Sequence, residues 1–243
     1  MYDVMQGVRV IEVAEHTFVP AAAMILADWG ADVIKIERVA GGGDAARSMR
    51  IIQRPGLKTN PFFEAANRGK RGLALDLTQA EGREYLHKLI ESADVFITNM
   101  RDDSCAKLGI TPADVQKINP RIVYASGTGY GRSGPLAAAR GFDMPSSWTR
   151  AGSAFVQTPT NGGPPPAQPG SVGDLTGGAT LAGAIAAALF RRERTGKGAI
   201  VDHALYMMGT YIMSQSLISA SMGWKAAGPP PPREAFPDPL LNW

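Results

Sequence analysis

"GVRVIEVAEHTFVPAAAMILADWGADVIKIER", residues Gly7 to Arg38, decides how the rest of the chain is read. It holds two short β-branched runs, "VRVIEV" (Val8–Val13) and "DVIKIE" (Asp32–Glu37), each with strand character. Between them Pro20 suits the first turn of a helix, "AAAMILADWG" supplies helix formers, and Gly30 is the stop. A strand, a helix of about a dozen residues and a second strand predict a right-handed crossover in a parallel sheet.

The alternation continues outward from this unit. "RGLALDL" (Arg71–Leu77) is a third strand, and Thr78 with Glu81 has the spacing of a capping box ahead of "EGREYLHKLIESA". Tyr85, Leu86, Leu89 and Ile90 form the expected buried stripe of that helix. "DVFITN" (Asp94–Asn99) is a fourth strand. Thr111-Pro112, with Asp114 behind, opens a short helix, and "RIVYASGTGYG" (Arg121–Gly131) is a fifth strand running into a glycine-rich loop. Strands alternating with helices at this spacing predict an α/β fold: an open, doubly wound, Rossmann-like parallel sheet with flanking helices. The pattern breaks between Gly131 and Gly173, where a single helical piece, roughly Asp143 to Gly152, precedes Pro/Gly-rich loop. An Ala-rich helix is expected from Thr176 to about Arg194, then a strand-like start and a further apolar helix. The expected large domain covers residues 1–227, and "GPPPPREAFPDP" within 228–243 reads as a polyproline linker towards a small domain.

Composition narrows the function classes. Of 243 residues, 44% are hydrophobic and 19% charged, as in an ordinary globular protein, and a net charge of only +3 gives no reason to expect nucleic acid. Cys105 is the sole cysteine, and His16, His87 and His203 lack metal-ligand spacing, so neither a disulfide nor a metal site is predicted. The longest apolar run, Leu181 to Phe190, is too short to span a bilayer, and a cytoplasmic location is the expectation.

Ligands of open α/β sheets bind at the carboxyl ends of the strands, so the first loop, "AEHTFVPAA" (Ala14–Ala22), should line a site. It lacks the G-x-G-x-x-G that lets backbone wrap a dinucleotide, which counts against a nicotinamide oxidoreductase. Arg38 is either a phosphate ligand or a solvated surface arginine. "NRGKRG" (Asn67–Gly72) reads first as a solvated basic turn, and Trp148, Tyr206 and Tyr211 as helix-packing residues. Asp174, in "GDLTGG", has two readings: a cap on the helix that follows, or a nucleophile. Gly173 and Gly177-Gly178 favour the second by leaving room for a substrate, and the helix N-terminus would steady developing negative charge.

"GVRVIEVAEHTFVPAAAMILADWGADVIKIER", "NRGKRGLALDL…EGREYLHKLIESADVFITN", "NPRIVYASGTGYG" and "GDLTGGATLAGAIAAALFRRERTGKG" together resemble the class III coenzyme A transferases, a family with formyl-CoA transferase, carnitine CoA-transferase and α-methylacyl-CoA racemase among its members. The resemblance implies transfer of CoA from an acyl-CoA to a free carboxylic acid, with Asp174 forming an aspartyl anhydride and then an aspartyl–CoA thioester. It implies no permanently bound cofactor, with coenzyme A entering as part of the substrate. It also implies an interlocked homodimer when the chain is full length. It places His16 and Thr17 along CoA, Arg38 near the nucleotide end, Leu73, Ala74 and Leu75 at the adenine, and Asn99 and Met100 after the fourth strand. Lys107 stands where relatives carry a phosphate-binding arginine, with Arg101 near it.

Two departures matter. In "RGFDM", Phe142 stands where racemase relatives have a histidine, which counts against racemisation and leaves Asp143 to orient the site. Relatives also continue past the linker into a small domain and a return segment. The chain is therefore expected to be a fragment, to need a second polypeptide, or to be a CoA-binding half without activity of its own.

Overall fold

The computed structural model describes residues 3–49, 59–159 and 163–224. The chain runs β1 (Arg9–Val13), α1 (Phe18–Asp28), β2 (Asp32–Glu37), α2 (Pro61–Asn67), β3 (Arg71–Ala74), α3 (Ala80–Glu91), β4 (Val95–Thr98), α4 (Asp102–Leu108) and α5 (Pro112–Ile118). It continues through β5 (Val123–Thr128), α6 (Ser153–Gln157), α7 (Val172–Thr195), β6 (Ala199–Ala204), α8 (Leu205–Ile212) and α9 (Ser214–Ser221). The six strands form one parallel sheet in the order β3-β2-β1-β4-β5-β6. The strand order reverses between β1 and β4, so the loops leaving those two strands diverge and open a crevice. This is the doubly wound α/β sheet expected from the sequence.

Central strands are buried on both faces and read as continuous apolar runs. One face packs on α1 and α7 through Val10, Val33, Ile97 and Ala125 against Val19, Ala22, Leu181 and Ile185. The other face carries Ile11, Ile34, Phe96 and Tyr124 against Leu86 and Ile90 of α3 and Val115 of α5. By length and composition alone α7 could cross a membrane. Here it packs against α1, β5, β6 and α8 as a core helix.

Several local expectations are corrected. The third strand stops at Ala74. Thr78 does not cap α3: its hydroxyl and N–H both donate to Asp76 Oδ1, and Gln79 precedes the helix without a side-chain cap bond. Tyr85 is half exposed, leaving Leu86 and Ile90 as the buried members of the stripe. Tyr211 lies on the outer face of α8, whose inner face is Leu205, Met208 and Gly209. The helical piece after Asp143 is a π-helical turn, Met144–Arg150. By contrast Thr111 and Asp114 close a true capping box at α5, and Gly196 ends α7 in the left-handed region. The linker expected within 228–243 lies outside the described residues.

Candidate active site

A cleft of about 960 Å³ opens at the carboxyl ends of the strands, where the order reverses. A shallow depression of about 460 Å³ at the amino end of β6, by Gln116, Arg191 and Ile200, holds no comparable set of polar groups. The main cleft is bordered by the β1–α1 loop (Ala14, Glu15, His16), the β4–α4 loop (Asn99, Met100, Arg101), the β5 exit (Gly127, Thr128, Gly129) and Asp174. Arg38, Arg132 and Arg140 also line it.

The β1–α1 loop is held at every residue. Lys35 Nζ donates to the Ala14 carbonyl at 2.8 Å. Asn99 accepts from Glu15 N–H at 3.1 Å and donates back to the Glu15 carbonyl at 2.6 Å, tying together the two loops that diverge at the crevice. Asp44 Oδ1 accepts from His16 N–H at 3.0 Å. His16 has φ +69°, the sole non-glycine positive φ among the described residues, a conformation costing roughly 1–3 kcal/mol. Its ring meets Phe142 edge to face at 5.4 Å.

Beneath the loop lies a buried charge cluster. Lys35 Nζ is 2.7 Å from Glu12 and 2.8 Å from Asp44, and Lys70 Nζ is 2.6 Å from Glu12. Burial opposes the charge on Lys35, yet Glu12 and Asp44 outweigh it and raise its pKa, whereas burial prevails at Lys70 and lowers it to about 8. The "NRGKRG" turn is thus only partly solvated. Lys70 is drawn under α1, while Arg68 and Arg71 pair with Asp28 and Asp32 at the surface.

Asp174 is the third residue of α7, because the helix starts at Val172, about one turn before the Thr176 start that the sequence pattern suggests. It does not cap: Ser171 is the N-cap residue, and the Asp174 carboxylate accepts no hydrogen bond among the described residues. Its own N–H instead donates to Asp143 Oδ2 at 3.1 Å, so a carboxylate from 31 residues away caps the helix in its place. Asp143 is fixed in turn by Ser147 Oγ and by Gln168 Nε2, the latter at 2.8 Å. Burial, and then the charge of Asp143, push the pKa of Asp174 up to about 7, although a helix N-terminus works the other way.

The glycines around Asp174 serve packing. A Cβ on Gly173 would collide with Asp143 and Ser147. One on Gly177 would come within 2.9 Å of the Phe18 ring, and one on Gly178 within 2.8 Å of Ala21 Cβ. Gly177 and Gly178 let α7 lie close on α1, which brings the starts of both helices to the cleft, while Gly173 makes room for Asp143 and Ser147. The expectation that they open space for a substrate is replaced by this one.

Of the residues expected at the site, the structure brings His16, Arg38, Leu75, Asn99, Met100, Phe142 and Asp174 to the cleft wall. Thr17 is buried just before α1, and Asp143 lies behind Asp174. Leu73 and Ala74 are exposed on edge strand β3, and Lys107 is exposed in the last turn of α4. Sequence reasoning passed over Arg132, Arg140, Gln168 and the Glu12–Lys35–Lys70–Asp44 cluster. Lysine at the middle of the apolar strand "DVIKIE" was the available signal, since a lysine buried there demands a counter-charge.

A Rossmann-like sheet with an uncommitted, half-buried carboxylate at its crevice defines a class, and the comparisons place the chain within it. Residues 5–236 match the model of CoA-transferase family III, and the chain belongs to that family. It is 34% identical over 220 residues to the (R)-2-hydroxy-4-methylpentanoate CoA-transferase of Clostridioides difficile, covering 90% of this chain and 55% of that protein. It is likewise 34% identical to the succinate–glutarate CoA-transferase of Agrobacterium fabrum, covering 94% of this chain and 56% of the relative. Among solved structures, a CAIB/BAIF family protein from Brucella suis superposes with a TM-score of 0.85 at 31% identity, covering 94% of this chain and 60% of that one. The chain thus spans little more than half the length of these relatives.

Proposed function

We propose that this chain is the catalytic large domain of an enzyme that moves coenzyme A from an acyl-CoA to a free carboxylic acid, with Asp174 as the nucleophile. The observation that carries the reading is a carboxylate on the cleft wall, partly desolvated and with no hydrogen-bond donor to it among the described residues. A carboxylate so placed is less stabilised by solvent and hydrogen bonds, and so readier to attack an acyl carbon.

The steps balance without a redox partner. Ionised Asp174 attacks the thioester carbonyl, the C–S bond breaks, and CoA leaves as thiolate beside an acyl–aspartyl anhydride. The thiolate then attacks the aspartyl carbonyl, giving an aspartyl–CoA thioester and releasing the donor acid as carboxylate. The acceptor carboxylate attacks that thioester, forming a second mixed anhydride and freeing thiolate again. Thiolate attack on the acceptor acyl carbon yields the new acyl-CoA and restores Asp174. Each thiolate that leaves is the nucleophile of the next step, so the bound CoA must stay in place throughout. The arginines Arg38, Arg101, Arg132 and Arg140 on the cleft wall suit a ligand rich in phosphate. Phe142 beside His16 has no proton to exchange, which supports acyl transfer over epimerisation.

Hydroxylamine trapping tests the assignment. After incubation with acyl-CoA, peptide mapping should find a hydroxamate at Asp174 and none when acyl-CoA is left out. An unmodified Asp174 in a chain that demonstrably binds CoA would overturn it. Deuterium uptake at the acyl α-carbon would favour epimerisation instead.

A further inference from the structure

The geometry points to Asp44 as a positioning residue for the cleft: its carboxylate holds His16 in the left-handed conformation that presents the imidazole along the ligand path. The inference rests on reading the cleft as the CoA site. It concerns a residue that does not contact the reacting atoms.

Asp44 is 2% exposed and reaches its place by an unusual route. Gly41, Gly42 and Gly43 all have positive φ, from +79° to +84°, which folds the segment after β2 back towards the sheet. Gly43 cannot carry a side chain there, since a Cβ would lie 2.6 Å from Glu37 Oε1. The same Glu37 oxygen accepts from Asp44 N–H at 2.8 Å and fixes the turn. Asp44 Oδ1 then serves two N–H groups, Ala46 at 2.8 Å and His16 at 3.0 Å, while Oδ2 meets Lys35 Nζ at 2.8 Å. Lys35 in turn holds the Ala14 carbonyl. Two residues of the buried cluster therefore grip the loop at both ends, and Asn99 grips its middle.

A strained, non-glycine residue persists only where its surroundings over-determine it, and such residues gather at functional sites. A glycine at position 16 would relieve the strain but present no ring. The buried cluster makes the strained loop affordable through carboxylate oxygens of Asp44 that are already committed to N–H and lysine partners. Within the cluster, two lysines balance two acids, so removing Asp44 alone would leave a buried positive charge and confound the test.

The experiment therefore compares two charge-balanced double variants, Lys35→Met/Asp44→Asn and Lys35→Met/Asp44→Leu, which differ mainly in the acceptor offered to His16 N–H and Ala46 N–H. CoA affinity by calorimetry and the His16 amide resonance are read in each. The leucine variant should bind CoA about tenfold more weakly than the asparagine variant. Its His16 amide should also move upfield. Equal affinities with an unmoved resonance would overturn the inference. Should the leucine variant fail to fold, adding His16→Gly should restore folding, because glycine takes the same φ without strain, and no restoration would equally overturn it. A wild-type chain that binds no CoA would instead sink the CoA-site reading, and the amide resonance would then decide the role of Asp44 alone.

Discussion

Asp44 and Asp174 border the same cleft, and their carboxylates are treated in opposite ways. Asp44 has two N–H donors and a lysine, all within 3.0 Å, and is sealed from solvent. Asp174 has no donor among the described residues, a like charge behind it and open space in front. Asp44 holds the loop before α1 directly, whereas the start of α7 beside Asp174 is held by Asp143. The difference separates a carboxylate whose bonds are all committed to structure from one left uncommitted because Asp143 takes over its capping task.

The comparison can be broken most directly at Asp174. On the proposed mechanism Asp174→Asn should lower label exchange between an acyl-CoA and its free acid at least about 1000-fold, because it removes the proposed nucleophile while leaving the cleft unchanged. Asp44→Ala should act on the fold first, costing about 3–5 kcal/mol in denaturant unfolding through the unpaired Lys35 it leaves behind. A loss under 1 kcal/mol, on the scale of a surface pair, would remove the contrast.

Acidity sharpens it further. Asp174 holds its proton more tightly in the folded chain, near pH 7, than in an unfolded one, near the ordinary 3.8. Ionising it destabilises the fold progressively between those values, and the full penalty is present above pH 7. Asp174→Asn should therefore be more stable than wild type at pH 8, by about 2–4 kcal/mol at 1.36 kcal/mol per unit, with the two converging near pH 4. Exchange should rise with pH below about 7 and level off above it, since the proposed nucleophile is the ionised form. The smallest contrast lies between two threonines. Thr111→Ala, at a real capping box, should cost about 1 kcal/mol, and Thr78→Ala within about 0.5 kcal/mol of nothing. Thermal melts of the pair measure it.

The sheet was legible because its signals are local. β-branched runs, Pro20, Gly30 and the Thr111–Asp114 box each act within a few residues, whereas the strand order came only with the structure. What escaped depends on partners far apart in sequence. Asp76 competes for Thr78 and wins, so a correct spacing gave a wrong cap. The cap of α7 arrives from Asp143, and the counter-charges of Lys35 from Glu12 and Asp44, and no window of sequence contains both members. The glycines flanking Asp174 were recognised as special, yet their purpose depends on Phe18 and Ala21 across the helix interface. Asp174 stood out in the sequence as a residue with two readings, and its freedom from capping could be seen only once the helix start was known.

The glycine contact between α1 and α7 bears on how the chain acquires its shape. The two helices are separated by roughly 150 residues, and the sheet between them is entirely parallel, so few of its pairings are local. On a ribosome, the first β-α-β unit emerges early but waits for α7 before its helix can be covered. Phe18 and Ala21 remain open to solvent during that interval, as a chaperone or a stray apolar segment would find them. The α1–α7 contact, which brings the starts of both helices to the cleft, can therefore close only after the sheet through β5 has been synthesised.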